Sequence, residues 1–163
     1  LIMKEVFFLR HATASWAAET AFDIDRPLTL GGISETKLIE NYALSNDIKI
    51  EKVLCSPSKR TKETSDLIFT GFRYDINEVI YKDFLYSGSS KELLSFLELQ
   101  DDSINSILVI GHNPMLSETI SLLTKTTIDI YEPCTLTSIN LKAWSSIHDS
   151  KLKFKINPKQ CNK

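Results

Sequence analysis

Cysteine is scarce in this sequence, which has only three cysteines in 163 residues. Cys55, Cys134 and Cys161 form no C-x-x-C pair, so we expect neither a disulfide framework nor a zinc site. The remaining sequence offers no other cluster of metal ligands, and we expect the protein to need neither a metal nor a cofactor. Unpaired cysteines are typical of a reducing compartment, which predicts a cytoplasmic protein.

A large excess of charge and a long hydrophobic run are also absent. Lysine and arginine total 19 against 21 acidic residues, a net charge of −2, which disfavours a general nucleic-acid surface. The apolar stretch near the N-terminus ends at Arg10, so we expect no signal peptide, membrane span or membrane partner. Met3 is a candidate for the natural first residue, and the status of Leu1 and Ile2 stays open.

What the chain does have is an alternation of strand-like and helix-like segments. It predicts a single α/β domain over 1–163, a three-layer sandwich with a mostly parallel central sheet and helices on both faces. The C-terminal hexapeptide PKQCNK is expected to be loose. Strands are expected at 4–10, 50–56, 77–81, 106–111, 135–144 and 151–157, and helices at 28–45, 57–70, 90–100 and 113–125.

Basic and polar side chains follow three of these strands, at the edge where α/β sheets place their chemistry. The first strand leads into Arg10 and His11, the second is followed one turn later by Arg60, and the 106–111 strand is followed by His112 and Asn113. Arginine binds anions through a planar fork of N–H donors, and a helix N-terminus adds free N–H groups. These residues predict a phosphate-sized anion site.

Each of these residues also has an ordinary structural interpretation. A charged pair after a strand is often a solvated strand end, and a helical arginine such as Arg60 is often on the surface. Asn113 is suited to cap the helix that follows it, with Pro114 in the first turn. Pro57 is expected at the first position of the 57–70 helix. The anion site is favoured only because the residues converge.

Four segments in order resemble the histidine phosphatase (phosphoglycerate mutase-like) superfamily, and more closely its SixA-type phosphohistidine phosphatase branch. They are LRHATASW, DRPLTLGG, VLCSPSKRTKET and VIGHNPMLS. The resemblance implies that His11 is a nucleophile that becomes phosphorylated and that Arg10 and Arg60 clamp the phosphate oxygens. It also implies that His112 is a second histidine of the phosphate pocket, where Asn113 adds its backbone N–H.

The chain departs from the family pattern at two points. Ala12 stands where the family usually has glycine, and the acid that donates a proton in many relatives is not evident. Asp83 is the positional candidate for that acid, and its alternative is an ordinary loop aspartate. A phosphatase without a clear acid suits a phosphoramidate better than an alkyl phosphate, whose alcohol leaving group needs a proton.

Arg26 and Trp16 are candidates for a lip that contacts the substrate. Their alternatives are an ion pair of Arg26 with Asp23 or Asp25, and packing of Trp16 in its loop.

The resulting hypothesis is a metal-independent phosphatase with a phosphohistidine enzyme intermediate. Its expected substrate is phosphohistidine in a protein of the signalling phosphotransfer type. Two alternatives stay open: a small-molecule phosphomonoesterase with the same pocket, and a phosphate-binding module without catalysis. The expected partner is accordingly a phosphorylated protein or a small phosphorylated molecule.

Overall fold

A six-stranded sheet forms the centre of the computed structural model, which describes residues 3–16 and 22–161. The strands lie in the order β3-β2-β4-β1-β5-β6. The first four strands are parallel to their neighbours, whereas β5 and β6 continue the sheet in antiparallel fashion. The strands are β1 (Lys4–Arg10), β2 (Lys52–Cys55), β3 (Ile80–Tyr81), β4 (Ser106–Gly111), β5 (Leu136–Leu141) and β6 (Ser150–Ile156).

Helices cover both faces of this sheet, as the sequence predicts. Successive side chains of β1 point to opposite faces, so Phe7 and Leu9 join one buried apolar cluster while Val6 and Phe8 join the other. The first cluster includes residues of α1 and α2, and the second includes residues of α4 and α5. The helices are α1 (Leu30–Ser45), α2 (Lys59–Phe72), α3 (Phe84–Ser87), α4 (Ser90–Glu98) and α5 (Met115–Thr124).

The bounds predicted for β1 and β4 are confirmed, but the expected start of α2 is wrong. The helix begins at Lys59, because the Ser58 hydroxyl accepts a hydrogen bond from the Thr61 amide at 3.3 Å and thereby caps it. Pro57 therefore lies outside the helix. A side-chain cap provides an acceptor for an N–H group that would otherwise be unpaired at the start of the helix. A proline in the first turn provides no such acceptor.

The side chain of Asn113 caps α5 as expected, although Pro114 holds the position directly before the first helical residue and makes no side-chain cap. The Asn113 oxygen accepts from the Ser117 amide in the first turn at 3.3 Å, and its nitrogen donates to the Tyr131 carbonyl at 3.1 Å. This side chain thus ties the start of α5 to the loop before β5.

The remaining boundaries agree with prediction to within about two residues, except at two strands where a short turn takes over. Residues Ile76–Glu78 form a 3-10 turn, which shortens the strand expected over 77–81. The strand expected over 135–144 ends at Leu141, ahead of the 3-10 turn at Trp144–Ser146. The expectation that the hexapeptide PKQCNK is loose is wrong for its described part, because Pro158–Gln160 form a turn that the Asn157 side chain caps; residues 162–163 lie outside the described residues.

The register of the parallel strands brings three strand ends to the same level. Arg10 lies opposite Gly111 in the β1–β4 pair, and the His11 amide donates to the Gly111 carbonyl at 3.0 Å. On the other side of β4, the Ser56 amide donates to the Ile110 carbonyl at 3.1 Å. The residues that follow β1, β2 and β4 therefore emerge side by side.

Gly32 lies where α1 packs closely against the loop that follows His11. A Cβ built on Gly32 would lie 2.2 Å from the Thr13 carbonyl oxygen, whereas one on Gly31 would meet only the Thr29 hydroxyl oxygen, at 3.6 Å. We expect Gly32→Ala to lower the free energy of unfolding by about 1–3 kcal/mol, as overpacking does. Gly31→Ala, the matched control, should cause no loss. Thermal unfolding measures both, and equal melting temperatures for the two variants would contradict the close approach.

Candidate active site

His11 is held in one tautomer by the backbone that follows β1. Its Nδ1 atom lies 2.7 Å from the Ala12 carbonyl oxygen. Because a carbonyl oxygen only accepts hydrogen bonds, Nδ1 carries the proton and Nε2 carries the lone pair. Nε2 makes no hydrogen bond within the described part of the chain, and the residue is only 7% exposed. The ring thus presents an unprotonated nitrogen in a nearly buried site.

The loop after His11 is anchored by two side chains from the helices. The Ala12 amide donates to the Thr64 hydroxyl at 3.1 Å, and Thr13 donates through its amide and hydroxyl to the two oxygens of Glu35, at 2.7 and 2.9 Å. Ala12 does not have a positive φ, so its replacement of the usual glycine causes no backbone strain. These contacts fix the direction in which His11 leaves the strand.

His112 lies beside His11, with ring centroids 5.3 Å apart. Its Nε2 atom is 2.7 Å from the Ser56 hydroxyl oxygen, which also accepts from the Ser58 amide at 3.4 Å. With the His112 proton on Nδ1 the Ser56 hydroxyl donates to Nε2, whereas with the proton on Nε2 the ring donates to the Ser56 oxygen. This Nδ1 is buried and has no hydrogen-bond partner among the described residues.

Two arginines complete the group, and each is tied by its Nη1 atom to a backbone carbonyl. Arg10 donates to the Tyr131 carbonyl at 2.7 Å, and Arg60 donates to the Asp23 carbonyl at 2.8 Å. In both side chains Nε is buried and unpartnered within residues 3–16 and 22–161. The four residues expected from the sequence thus include three buried nitrogens without a partner in the described protein, and two of them are guanidinium donors.

Burial and positive charge keep both histidines neutral. Burial lowers the pKa of His11 to about 4, with smaller contributions from the nearby guanidinium groups of Arg60 and Arg10, although the Ala12 carbonyl acts in the opposite direction. Burial likewise lowers the pKa of His112 to about 3, and His11 adds to the effect. An uncharged imidazole with a lone pair is the form that can act as a nucleophile.

Arg26 and Trp16 lie together near this group. The Arg26 Cζ atom is 3.5 Å from the centroid of the Trp16 ring, which is 84% exposed. Arg26 also pairs with the Asp23 carboxylate at 3.1 Å, which settles the ion-pair alternative in favour of Asp23 over Asp25. Both features hold at once, since Arg26 pairs with Asp23 while it stacks on the exposed Trp16.

Asp83 makes no side-chain contact with any of these residues in the described part of the chain. It is exposed and precedes the one-turn helix α3, on which Tyr86 is the residue that reaches the site. The Tyr86 ring lies edge-on to His112 with centroids 5.5 Å apart, and its hydroxyl donates to Asp23 at 2.7 Å. The role of Asp83 as an acid therefore stays a prediction without support from contacts.

Two further residues were missed by sequence reasoning. Ser56 is not among the residues that the sequence predicts for the site, yet it contacts His112, while Ser58 is the cap of α2. Asp23 was considered only as a partner of Arg26, although it also contacts Arg60 and Tyr86, which are 37 and 63 residues away in sequence. Contacts between residues so far apart in the chain leave no recognisable pattern in the neighbouring sequence.

Asn113 offers its backbone N–H at the same strand edge. This N–H has no hydrogen-bond partner within the described ranges, whereas the oxygen and the nitrogen of the side chain are both hydrogen-bonded.

Across residues 3–16 and 22–161, no group of three or more histidine, cysteine or acidic side chains is placed to hold a metal ion. The same ranges contain no helix of the length and apolarity needed to cross a membrane.

Comparison with known proteins relates this arrangement to a family. A model of the histidine phosphatase superfamily (branch 1) matches residues 6–82. Phosphohistidine phosphatase SixA of Escherichia coli K12 is 29% identical over 113 residues, 69% of each chain. An uncharacterised protein of Picosynechococcus is 30% identical over 115 residues, 70% of this chain and 69% of its own.

Solved structures show the same fold. The protein histidine phosphatase SixA complexed with tungstate superposes with a TM-score of 0.86 at 24% identity, over 96% of this chain and 98% of that one.

The lowered pKa values of the two histidines can be measured directly. Because the pKa of His11 is about 4 and that of His112 about 3, both rings should stay neutral from pH 8 down to about pH 5. Histidine NMR signals, assigned with His11→Gln and His112→Gln, should show no titration in that range. Inorganic phosphate should raise the His11 pKa, because an anion stabilises the imidazolium. Midpoints near pH 6.5 in the absence of phosphate would contradict the buried, electropositive site.

Proposed function

Because the chain belongs to the histidine phosphatase superfamily and is a phosphatase, we propose that it works through a phosphohistidine intermediate on His11. We propose further that its substrate is phosphohistidine in a protein. The relative named phosphohistidine phosphatase SixA supports the substrate class. The remaining support comes from the chemistry of the residues around His11.

The observation that carries the proposal is a set of three buried nitrogens without a partner among the described residues: the donors Arg10 Nε and Arg60 Nε, together with His112 Nδ1. A buried donor left unsatisfied costs roughly 1–3 kcal/mol, so such donors normally have a partner. Phosphate is a fitting partner because it carries several acceptor oxygens and a negative charge, which two guanidinium groups complement. The donors therefore favour a phosphoryl group beside His11.

The first chemical step follows from the tautomer of His11. The Nε2 lone pair attacks phosphorus in line with the leaving group, so a P–N bond forms as the bond to the leaving group breaks and its electrons depart with that group. Arg10 and Arg60 stabilise the charge on the transferring oxygens, and His112 donates a hydrogen bond. The Ala12 carbonyl stabilises the Nδ1 proton as the ring becomes positive.

The second step returns the enzyme to its starting state. Water attacks phosphorus, the P–N bond to His11 breaks, and its electrons return to Nε2. The water protons leave on inorganic phosphate and to solvent, and His11 regains its neutral form. Both steps rely on an imidazole nucleophile and on arginine, so the proposed reaction requires no metal.

Phosphohistidine is favoured over alkyl phosphates by the state of Asp23, the carboxylate that contacts Arg60. Asp23 accepts hydrogen bonds from Tyr86, Arg26 and Arg60, which hold the pKa of its carboxyl group far below the ordinary range. It is therefore ionised and has no proton to donate to an alcohol. An imidazole leaving group departs more readily without such help.

The exposed side chains beside the pocket suit a protein substrate. Trp16 and Phe22 are both largely exposed, and Arg26 lies against the Trp16 ring. Aromatic side chains and arginine are enriched in protein interfaces, and we propose that these residues form the lip that contacts the phosphorylated protein. We also propose the cytoplasm as the compartment, which the three free cysteines support.

Substrate comparison combined with trapping of the intermediate tests the function. We expect faster turnover of a phosphohistidine protein and of phosphoramidate than of phosphomonoesters. Brief reaction with labelled phosphohistidine protein, followed by an alkaline quench and peptide mapping, should place the label on His11. His11→Ala should abolish both label and turnover, because the nucleophile is lost. Label on Ser56 or His112, or turnover retained by His11→Ala, would overturn the proposal.

A further inference from the structure

Asp23 accepts hydrogen bonds from three side chains that belong to separate segments. Its Oδ2 atom accepts from Arg60 Nη2 at 3.1 Å and from the Tyr86 hydroxyl at 2.7 Å, and its Oδ1 atom accepts from Arg26 Nη1 at 3.1 Å. Its backbone carbonyl also accepts from Arg60 Nη1 at 2.8 Å. One residue thus joins the loop after β1 to α2 and α3.

The two contacts to Arg60 use a single edge of its guanidinium group. Nη1 and Nη2 form the end edge of the fork, and both donate to Asp23. Nε and the second hydrogen of Nη2 form the side edge. Nε is buried and unpartnered within the described residues. Asp23 therefore orients Arg60 so that its side edge remains available for a second acceptor.

We propose that Asp23 is the positioning residue for Arg60, which it holds by the end edge so that the side edge faces the phosphoryl group. This inference rests on the proposed function of the pocket. Arg60 is nearly buried, at 6% exposure, while the Asp23 side chain is half exposed. An aligned fork contributes to catalysis because its geometry is fixed before the charge develops on the transferring oxygens.

Two other roles for Asp23 fit the contacts less well. A competing ligand would occupy the edge that the phosphate needs, whereas Asp23 occupies the opposite side of the fork from Nε. A general acid would need a proton, whereas the hydrogen bonds from Tyr86 and from the two arginines keep the carboxylate ionised. Asp23 and a phosphate therefore bind to Arg60 at the same time.

Asp25 provides a matched control, because it lies with Asp23 in one 3-10 turn, Asp23–Asp25. It is exposed, and its side chain makes no hydrogen bond or ion pair within the described ranges. Asp25→Ala removes the same charge and the same number of atoms from the same turn as Asp23→Ala, without the contact to Arg60. A difference between the two variants therefore reports the contacts of Asp23 rather than the net charge of the loop.

A double-mutant cycle with Arg60 tests the proposal, with phosphoramidate as the substrate. Asp23→Ala should lower kcat/KM about 10-fold or more, as loss of a charge-assisted hydrogen bond does. In the Arg60→Ala background the same change should cause no further loss, because Asp23 acts through Arg60. Asp25→Ala should leave kcat/KM within about 2-fold of the wild type, a surface-substitution effect. Tyr86→Phe, which removes one donor to Asp23 and keeps the ring beside His112, should give an intermediate loss.

The outcomes separate this inference from the function on which it rests. If the wild type turns over and depends on His11, but Asp23→Ala loses the same factor with and without Arg60, then Asp23 does not position Arg60. A gain in kcat/KM in Asp23→Ala would make Asp23 a competing ligand and would equally overturn the proposal. Failure of the wild type to turn over any phosphorylated substrate would contradict the function itself. The affinity for inorganic phosphate, measured by calorimetry, provides a second readout of the cycle when turnover is too slow to measure. This affinity should depend on Asp23 only when Arg60 is present. Melting temperatures of all variants identify any that fail to fold.

Discussion

The parallel register between β1 and β4 is the constraint on which the whole site depends. Arg10 lies opposite Gly111, so His11 and His112 follow their strands at the same level and their rings come within 5.3 Å. The two strands are buried on both faces, and a shift by one residue would turn the core side chains of β1 to the opposite face. The same packing that holds the sheet together therefore also sets the distance between the two histidines.

Each of the four side chains of the site has one nitrogen that is hydrogen-bonded within the protein and one that is not. Nη1 of each arginine donates to a backbone carbonyl, and one ring nitrogen of each histidine is hydrogen-bonded to Ala12 or to Ser56. The nitrogens without a hydrogen bond among the described residues are Nε of both arginines, Nδ1 of His112 and Nε2 of His11. The two arginine nitrogens are donors, His11 Nε2 carries a lone pair, and His112 Nδ1 donates when it holds the ring proton; a phosphoryl group undergoing in-line attack requires such a set. The hydrogen bond at one nitrogen thus fixes the orientation in which the other nitrogen faces the pocket.

Sequence patterns predicted the parts of this site that follow from local order along the chain. Continuous apolar runs gave the bounds of β1 and β4, and the polar residues directly after them had to emerge at one edge of a parallel sheet. The start of α2 was missed because Ser58 and Pro57 compete for the same turn, and the side-chain cap prevails. The start of α2 depends on one hydrogen bond, and the sequence pattern does not show which of the two residues determines where the helix begins.

Contacts between distant segments were beyond such reasoning. Tyr86 contacts His112 and Asp23, whereas Asp83 is exposed and contacts neither residue in the described part of the chain. Asp23 meets Arg60 only after the loop following β1 folds back onto α2. Ser56 and His112 are 56 residues apart and meet because β2 and β4 are neighbours in the sheet. In each case the partner is determined by sheet order and helix packing.

The ring nitrogen of His11 that carries the phosphate in the trapped enzyme tests the central claim most directly. Since the Nδ1 proton is held by the Ala12 carbonyl, the phosphate must be on Nε2. Proteolysis of the base-quenched phosphoenzyme, followed by comparison of its phosphohistidine with the two authentic isomers, identifies the nitrogen. The geometry predicts the Nε2 isomer alone. Phosphate on Nδ1 would mean that the Ala12 contact does not set the tautomer, and it would contradict the mechanism.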